Sequence, residues 1–145
     1  MIAELCLALA LYHEARGEPK VGQLMVARVI VNRVESKRFP DDVCSVIAQP
    51  KQFSFVRNGL VPIPRDQEAW EQSKDIAFKS LSDPSFLPPI AADHFHTTKV
   101  RPVWRKKLYR LARIGTHIFY SYEKPVAIKV SIRPKQRPKK GLKSD

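Results

Sequence analysis

Apolar residues recur at helical spacing from the first positions of the chain. Ile2, Leu5, Cys6 and Leu9 fall on one face, and Leu7, Ala10 and Leu11 on the next. The pattern predicts a helix over residues 2–15 that is buried on most sides. Gly17 suits a left-handed cap and Pro19 the first turn of a new helix, so "RGEP" reads as a tight corner between two helices. The second helix is predicted from Pro19 to Ser36. Its "VARVIVNRV" core is β-branched and strand-like, but its length and the recurrence at Leu24, Ala27, Val31 and Val34 favour helix. "FPDDVCSVIAQ" reads as a short helix with aspartates in its first turn, where they complement the helix dipole. "KQFSFV" is expected as a short strand, and "RNGLVPIPR" as a turn and loop marked by Asn-Gly.

Residues 66–82 predict another amphipathic helix, with Ala69, Trp70, Ser73, Ile76, Ala77 and Leu81 along its inner stripe. "SDPSFLPPIAAD" is a Pro-rich loop. "HFHTTKVRPVW" and "GTHIFYSY" read as extended pieces flanking a basic helical turn at residues 104–112. Beyond Tyr122 no apolar period survives, although "VAIKVSI" has the makings of an edge strand. Helices without βαβ alternation predict an α+β fold, mainly helical. The length suits one domain, with residues 1–122 as its body and 123–145 as a basic, flexible tail.

Composition is that of a globular chain, 43% hydrophobic and 28% charged. The net charge of +12 is uneven, because residues 123–145 alone carry 8 basic and 2 acidic side chains. Such a concentration points to an anionic partner: nucleic acid, a membrane surface or an acidic wall polymer. "IAELCLALALY" is too short to span a bilayer and contains Glu4. It also lacks a basic n-region and a cleavage site, so the expectation is synthesis in the cytoplasm without signal-peptide export. Cys6 and Cys44 read as two small buried side chains on packed helices. A disulfide between them would need an oxidising compartment and matching geometry.

The chemistry concentrates in "YHEARGEP". Glu14 follows Ala10 and Leu11 on one face of the first helix, where apolar neighbours disfavour its charged form. A carboxyl with a raised pKa at an open corner is suited to general-acid work. Glu18 lies past the cap, in the turn, where solvent, a backbone N–H or Arg16 would hold it.

The blocks "ALYHEARGEPKVGQLMVARVIVNRV", "FPDDVCSVIAQPKQFSF" and "ADHFHTTKVRPVWRKKLYRLARIGTHIFY" resemble the cell-wall hydrolase family of spore-cortex-lytic enzymes, which also occurs among phage endolysins. The resemblance covers roughly residues 5–121, in the family's order. It implies a lysozyme-like fold of the goose-type and lytic-transglycosylase branch. It also implies cleavage of the N-acetylmuramic acid–N-acetylglucosamine bond of peptidoglycan, with Glu14 as the single catalytic acid. No cofactor or metal is implied. Glu18, Gln52, Phe53, Ser54, His94, His96 and Tyr120 carry over as substrate-binding candidates, with the core as the competing reading for Phe53. Alternation along the strand would send His94 and His96 to one face and Phe95 to the other. Trp104 reads equally as a core anchor or a sugar platform, and His117 and Tyr120 as backing for the site. His13 departs from the small residue or glycine usual in the family beside the acid.

The implied partner is bacterial peptidoglycan, with an anionic membrane or lipopolysaccharide surface met through the tail, no nucleic acid, and a monomeric state. The expected setting is a phage endolysin, made in the host cytoplasm and acting on the periplasmic wall after holin-mediated release. Three rival readings stand beside this one. A hydrolytic muramidase would need a second carboxylate from among Glu35, Asp41, Asp42 and Asp93. A zinc-dependent wall amidase would use His94, His96 and His117. A nucleic-acid-binding protein would rest on charge alone.

Overall fold

The Pro-rich stretch before the histidines poses an accounting problem, since prolines supply carbonyls without N–H groups to match them. In the computed structural model, which describes residues 2–49 and 52–126, the answer comes from one helix. Arg28 donates to the carbonyls of Pro84 and Pro88 at 2.7 and 2.9 Å, and Asn32 to those of Ile90 and Ala92 at 2.9 and 2.8 Å. Arg33 adds a bond to the Asp93 carbonyl at 2.8 Å. One polar edge of the second helix thus guides the loop into the first strand.

That second helix is α2 (Lys20–Glu35), and α1 (Ile2–Ala15) precedes it. In α1 the side chains of Leu7, Ala8, Ala10, Leu11, Tyr12 and Ala15 are buried. Ile2 and Leu5 are 74% and 43% exposed, so burial on most sides holds only for the C-terminal part of the helix. In α2 Met25, Val26, Ala27, Val29, Ile30 and Val31 are all buried, around most of the helix but for the edge of Arg28 and Asn32. Packing against α1, two further helices and a strand explains why its β-branched run stays helical. Those helices are α3 (Val43–Ala48) and α4 (Gln67–Ser82). Asp42 caps α3 by accepting from Ser45 N–H at 2.9 Å, and Asp66 caps α4 through Ala69 N–H at 3.0 Å. The buried face of α4 is Ser73, Ile76, Ala77 and Ser80, mostly small, and it packs chiefly on the alanine-containing face of α1.

Three antiparallel strands, β1 (His94–Thr97), β2 (Tyr109–Ile114) and β3 (His117–Ser121), form one sheet in the order β1-β3-β2. Phe95 pairs with Phe119, and both turn toward the helical core. A bulge between Arg110 and Ala112 shifts the β2–β3 register. The basic stretch predicted as a helical turn over residues 104–112 is helical only at Val103–Lys106, as a 3₁₀ turn. From Tyr109 onward, pairing with β3 overrides the local helical preference. The predicted strand in "KQFSFV" is replaced by turns over residues 52–55. An isolated bridge joins Arg57 and Leu60 across Asn58-Gly59, whose positive φ angles of 54° and 75° fit a tight hairpin turn. The Pro-rich loop contains a 3₁₀ turn at Pro84–Phe86. The tail readings, including most of "VAIKVSI", lie outside the described residues.

Cys6 and Cys44 are joined in a disulfide, which corrects the reading of two free apolar thiols. Their Cα atoms stand 5.3 Å apart, a separation suited to a bridge, and the bond ties α1 to α3 across 38 positions of sequence. Closing a loop of that size in the unfolded chain is worth about 4 kcal/mol at most in the chain-entropy picture. A Cys6→Ser/Cys44→Ser variant is therefore expected to melt roughly 10 °C below the oxidised protein. Thermal unfolding with and without reductant checks this, and coincident curves would show that the bridge does not bear on stability.

Candidate active site

The site begins with the way α1 ends. Gly17 takes the left-handed conformation at φ 87°, and the N–H of Glu18 returns to the Ala15 carbonyl at 3.0 Å. Pro19 then opens α2 as its N-cap, with its carbonyl accepting from the N–H groups of Gly22 and Gln23. Arg16 folds back over the Tyr12 ring at 4.3 Å and donates to the Tyr12 carbonyl at 3.2 Å. The Tyr12 hydroxyl accepts from the N–H groups of Arg65 and Asp66, so α1 also anchors the entry to α4.

Glu14 sits in this last turn, partly buried, and makes no hydrogen bond or ion pair among the described residues. Burial alone pushes its pKa up to about 7, since nothing offsets the cost of ionising away from water. Glu18, four positions later, is treated differently. Burial acts to raise it too, but the Thr116 N–H and hydroxyl donate to its two oxygens, each at 2.9 Å. Together with His117 nearby, these bonds hold Glu18 below its ordinary value. Two carboxylates on one corner are thus driven apart, one toward a proton donor and one toward a fixed anion.

Rings connect His13, next to Glu14 in the sequence, to the neighbourhood of Glu18. His13 donates from Nε2 to the Pro62 carbonyl at 2.9 Å and stacks on Phe55, with centroids 4.9 Å apart. Phe55 meets Phe53 at 5.9 Å, Phe53 meets Phe95 at 6.3 Å, and Phe95 meets His117 at 5.1 Å. The Nδ1 atom of His117 is buried without a hydrogen bond, 3.9 Å from Glu18 Oε1. Burial lowers the pKa of His117, against the pull of Glu18. Burial likewise lowers that of His13, opposed by the Pro62 bond and assisted by Arg16. This run of side chains starts at His13 and ends at His117, beside Glu18, so packed rings join the two ends of the corner that carries the acid.

The sheet separates the other candidates. His94, His96 and Tyr120 occupy the face opposite Phe95 and His117, as alternation predicts. His94 Nδ1 bonds Asp93 Oδ1 at 2.8 Å, and the same oxygen accepts from Tyr122 N–H at 3.1 Å. His96 donates from Nδ1 to the Thr97 carbonyl at 2.7 Å, and its Nε2 is hydrogen-bonded to the Tyr120 hydroxyl at 2.8 Å. Trp104 covers this group, with its ring 5.2 to 5.6 Å from those of His94, His96 and Tyr120. His117, on the other face, is not part of it. Among the described residues no three His, Cys, Asp or Glu side chains are grouped as a metal site requires.

Gln52 is exposed, and its side-chain amide oxygen accepts from Arg33 at 3.1 Å. Arg33 is buried over the rings of Phe39 and Phe53, with its pKa lowered to about 10 by burial against the pull of Asp93, and it stays charged at neutral pH. Phe53 is 2% exposed and offers no face to a sugar; it is a core side chain. Ser54 is exposed and lines a cavity of about 630 Å³ with Phe55, Leu60 and Pro62. A larger cavity, about 910 Å³, lies between the end of α2 and residues 121–126 and does not include Glu14. Sequence reasoning missed Arg33 and Thr116 as organisers of the site. The repeated arginines and the lone threonine carried no signal of their partners.

Residues 17–120 match the cell wall hydrolase family. The chain is 39% identical over 113 residues to the spore cortex-lytic enzyme of Halalkalibacterium halodurans, covering 78% of this chain and 33% of that protein. To the spore cortex-lytic enzyme of Bacillus subtilis it is 37% identical over 113 residues, 78% and 35% of the two lengths. The chain therefore spans about a third of the length of these curated relatives. Among solved structures, the catalytic domain of the germination-specific lytic transglycosylase SleB from Bacillus anthracis is similar with a TM-score of 0.69 and 31% identity. That match covers 82% of this chain and 93% of that one. The SleB catalytic domain of Bacillus cereus is similar at a TM-score of 0.68 and 31% identity, over 83% and 91%. The fold is accordingly lysozyme-like, α+β and mainly helical. The family match runs from Gly17 to Tyr120 and so spans the turn after α1 and most of the sheet, while Glu14, outside it, is singled out by its geometry. Matched over most of its length in sequence and in fold, the chain belongs to the cell wall hydrolase family.

Proposed function

We propose that this chain cleaves the glycan strands of bacterial peptidoglycan at the N-acetylmuramic acid–N-acetylglucosamine bond, as a lytic transglycosylase with Glu14 as its single acid. The observation that carries the reading is a carboxyl at a helix end with no partner among the described residues, its pKa raised to about 7. Such a group holds a proton at neutral pH and releases it to a leaving oxygen. The carboxylate then takes the proton of the muramic acid C6 hydroxyl as that oxygen attacks C1. A 1,6-anhydro ring closes, no water is consumed, and Glu14 is returned protonated.

The other carboxylates named for a hydrolytic alternative support this assignment by their engagements. Asp42 caps α3, Asp93 holds His94 and the Tyr122 N–H, and Glu35 and Asp41 are exposed. Gln52, Ser54 and His94 are retained as candidates for contact with the sugars, with His96 and Tyr120, both buried, as support behind them. The relatives' names, spore cortex-lytic enzyme and lytic transglycosylase, support the substrate class. The disulfide suits an oxidising compartment, in keeping with work on the wall side of the inner membrane, where an endolysin acts after holin release.

Glu14→Gln keeps the shape of the side chain but has no acidic proton, and is expected to lose on the order of 10² to 10⁴ in rate. Mass spectrometry of muropeptides released from purified sacculi should show 1,6-anhydro ends with the parent protein. Reducing ends alone would mean that water attacks and that a second carboxylate takes part.

The raised pKa also has a stability consequence. Because the folded value of Glu14 lies above its unfolded one, its contribution is fully present below pH 4.5 and is lost as pH rises through about 7. The loss amounts to no more than roughly 3 kcal/mol. Glu14→Gln removes it, so the variant should melt several degrees above the parent at pH 8 and alongside it at pH 4. Equal melting at both pH values would show that Glu14 ionises without cost.

The basic segment yields a further expectation from charge alone. Peptide stems and nearby lipids are anionic, so residues 123–145 should concentrate the enzyme at the wall by an attraction screened over about 8 Å at physiological salt. Deleting residues 125–145 should reduce lysis of intact sacculi at low salt, matter little at high salt, and leave cleavage of a short soluble glycan unchanged. A large fall in melting temperature on deletion would instead make the segment structural.

A further inference from the structure

We propose that Glu18 is a positioning residue. Through Thr116 and Gly115 it locks the last turn of α1 to the β2–β3 hairpin and thereby sets the place of Glu14. The inference rests on Glu14 as the acid. A helix end is intrinsically loose, because its last four carbonyls have no partners within the helix. Glu14 lies one residue before the end of α1, in the turn most prone to fray. A general acid in that position needs an external fixing point, since a displacement of about 1 Å can cost about 10² in rate.

Glu18 supplies one. Both of its oxygens are taken by Thr116, which reaches it from 98 positions away with its N–H and its hydroxyl. The Glu18 carbonyl accepts from the Gln23 side chain at 3.0 Å, so the same residue is fastened to α2. The hairpin is shaped to receive the carboxylate. Gly115 adopts φ 59°, and a Cβ there would collide with Glu18 Oε1. Gly22 closes the contact from the other side, since a Cβ there would stand 3.5 Å from both Glu18 Cβ and Ile114 Cγ2. A carboxylate with both oxygens committed to protein donors is poorly placed to bind sugar hydroxyls, the role that its position beside the acid first suggests.

Glutamine separates positioning from charge. Its carbonyl would still accept the Thr116 N–H, and its amide would donate to the Thr116 hydroxyl, which preserves both contacts without an anion. The test compares kcat and KM on a soluble disaccharide-repeat glycan for Glu18→Gln, Glu18→Ala, Thr116→Val and Glu14→Gln, each verified as folded at the assay temperature. Glu18→Ala is expected to lower kcat about 10- to 100-fold with KM little changed. Thr116→Val should show a smaller loss of the same kind, and Glu18→Gln should stay within a few-fold of the parent. If Glu18→Ala does not fold, Thr116→Val carries the comparison. An unchanged kcat in Glu18→Ala, or in Thr116→Val when it stands alone, would overturn the proposal. So would a Glu18→Gln as inactive as Glu14→Gln, or a loss confined to KM. Should Glu14→Gln itself remain active, the acid assignment fails first, and the two failures are thereby told apart.

Discussion

A carboxyl that is to hold its proton at neutral pH has to be kept from the partners that would stabilise its anion. This constraint governs the corner around Glu14. A salt bridge or a pair of N–H donors would fix the side chain firmly, but either would also drive its pKa down, as Thr116 does for Glu18. The protein therefore fixes Glu14 indirectly. Its helix is buried through Leu7, Leu11 and Ala15, and its flanking residues are tethered through His13, Arg16 and Glu18. The acid itself makes no hydrogen bond or ion pair among the described residues.

The same division of labour extends across the sheet. The inner face, with Phe95, His117 and Phe119, belongs to the core and to the Glu18 clamp. The outer face carries the cluster of His94, His96 and Tyr120 covered by Trp104, bonded to Asp93 and joined to Gln52 through Arg33. Four residues of strand thus serve two surfaces, and the Pro-rich loop that delivers them is held by the arginines and the asparagine of α2.

The helices were legible because their signal is local. The stripe from Leu5 to Leu11 and the corner at Gly17 and Pro19 placed α1 and the start of α2 within a residue of the observed bounds. Alternation likewise separated His94 and His96 from Phe95. What failed depended on partners distant in sequence. The stretch "LYRLAR" reads as a helical turn on its own and becomes a strand only because β3 is there to pair with it. "QFSFV" alternates like a strand but pairs with no strand among the described residues. The link from Glu18 to Thr116 spans 98 positions, and that between the cysteines 38, and neither leaves a periodic trace. Glu14 was visible as a candidate from its neighbours Ala10 and Leu11, but its lack of a partner among the described residues is a property of the folded surroundings.

The central claim is that burial alone keeps Glu14 protonated near neutral pH. It is tested most directly by following its side-chain carboxyl carbon by ¹³C NMR in the full chain, assigned with Glu14→Gln, as pH is varied. The account predicts a midpoint near 7 for Glu14, with Glu18 titrating below the ordinary glutamate value in the same sample. A Glu14 midpoint at the ordinary value of 4.5 would contradict it, because the carboxyl would then be ionised at the pH where it has to give up a proton.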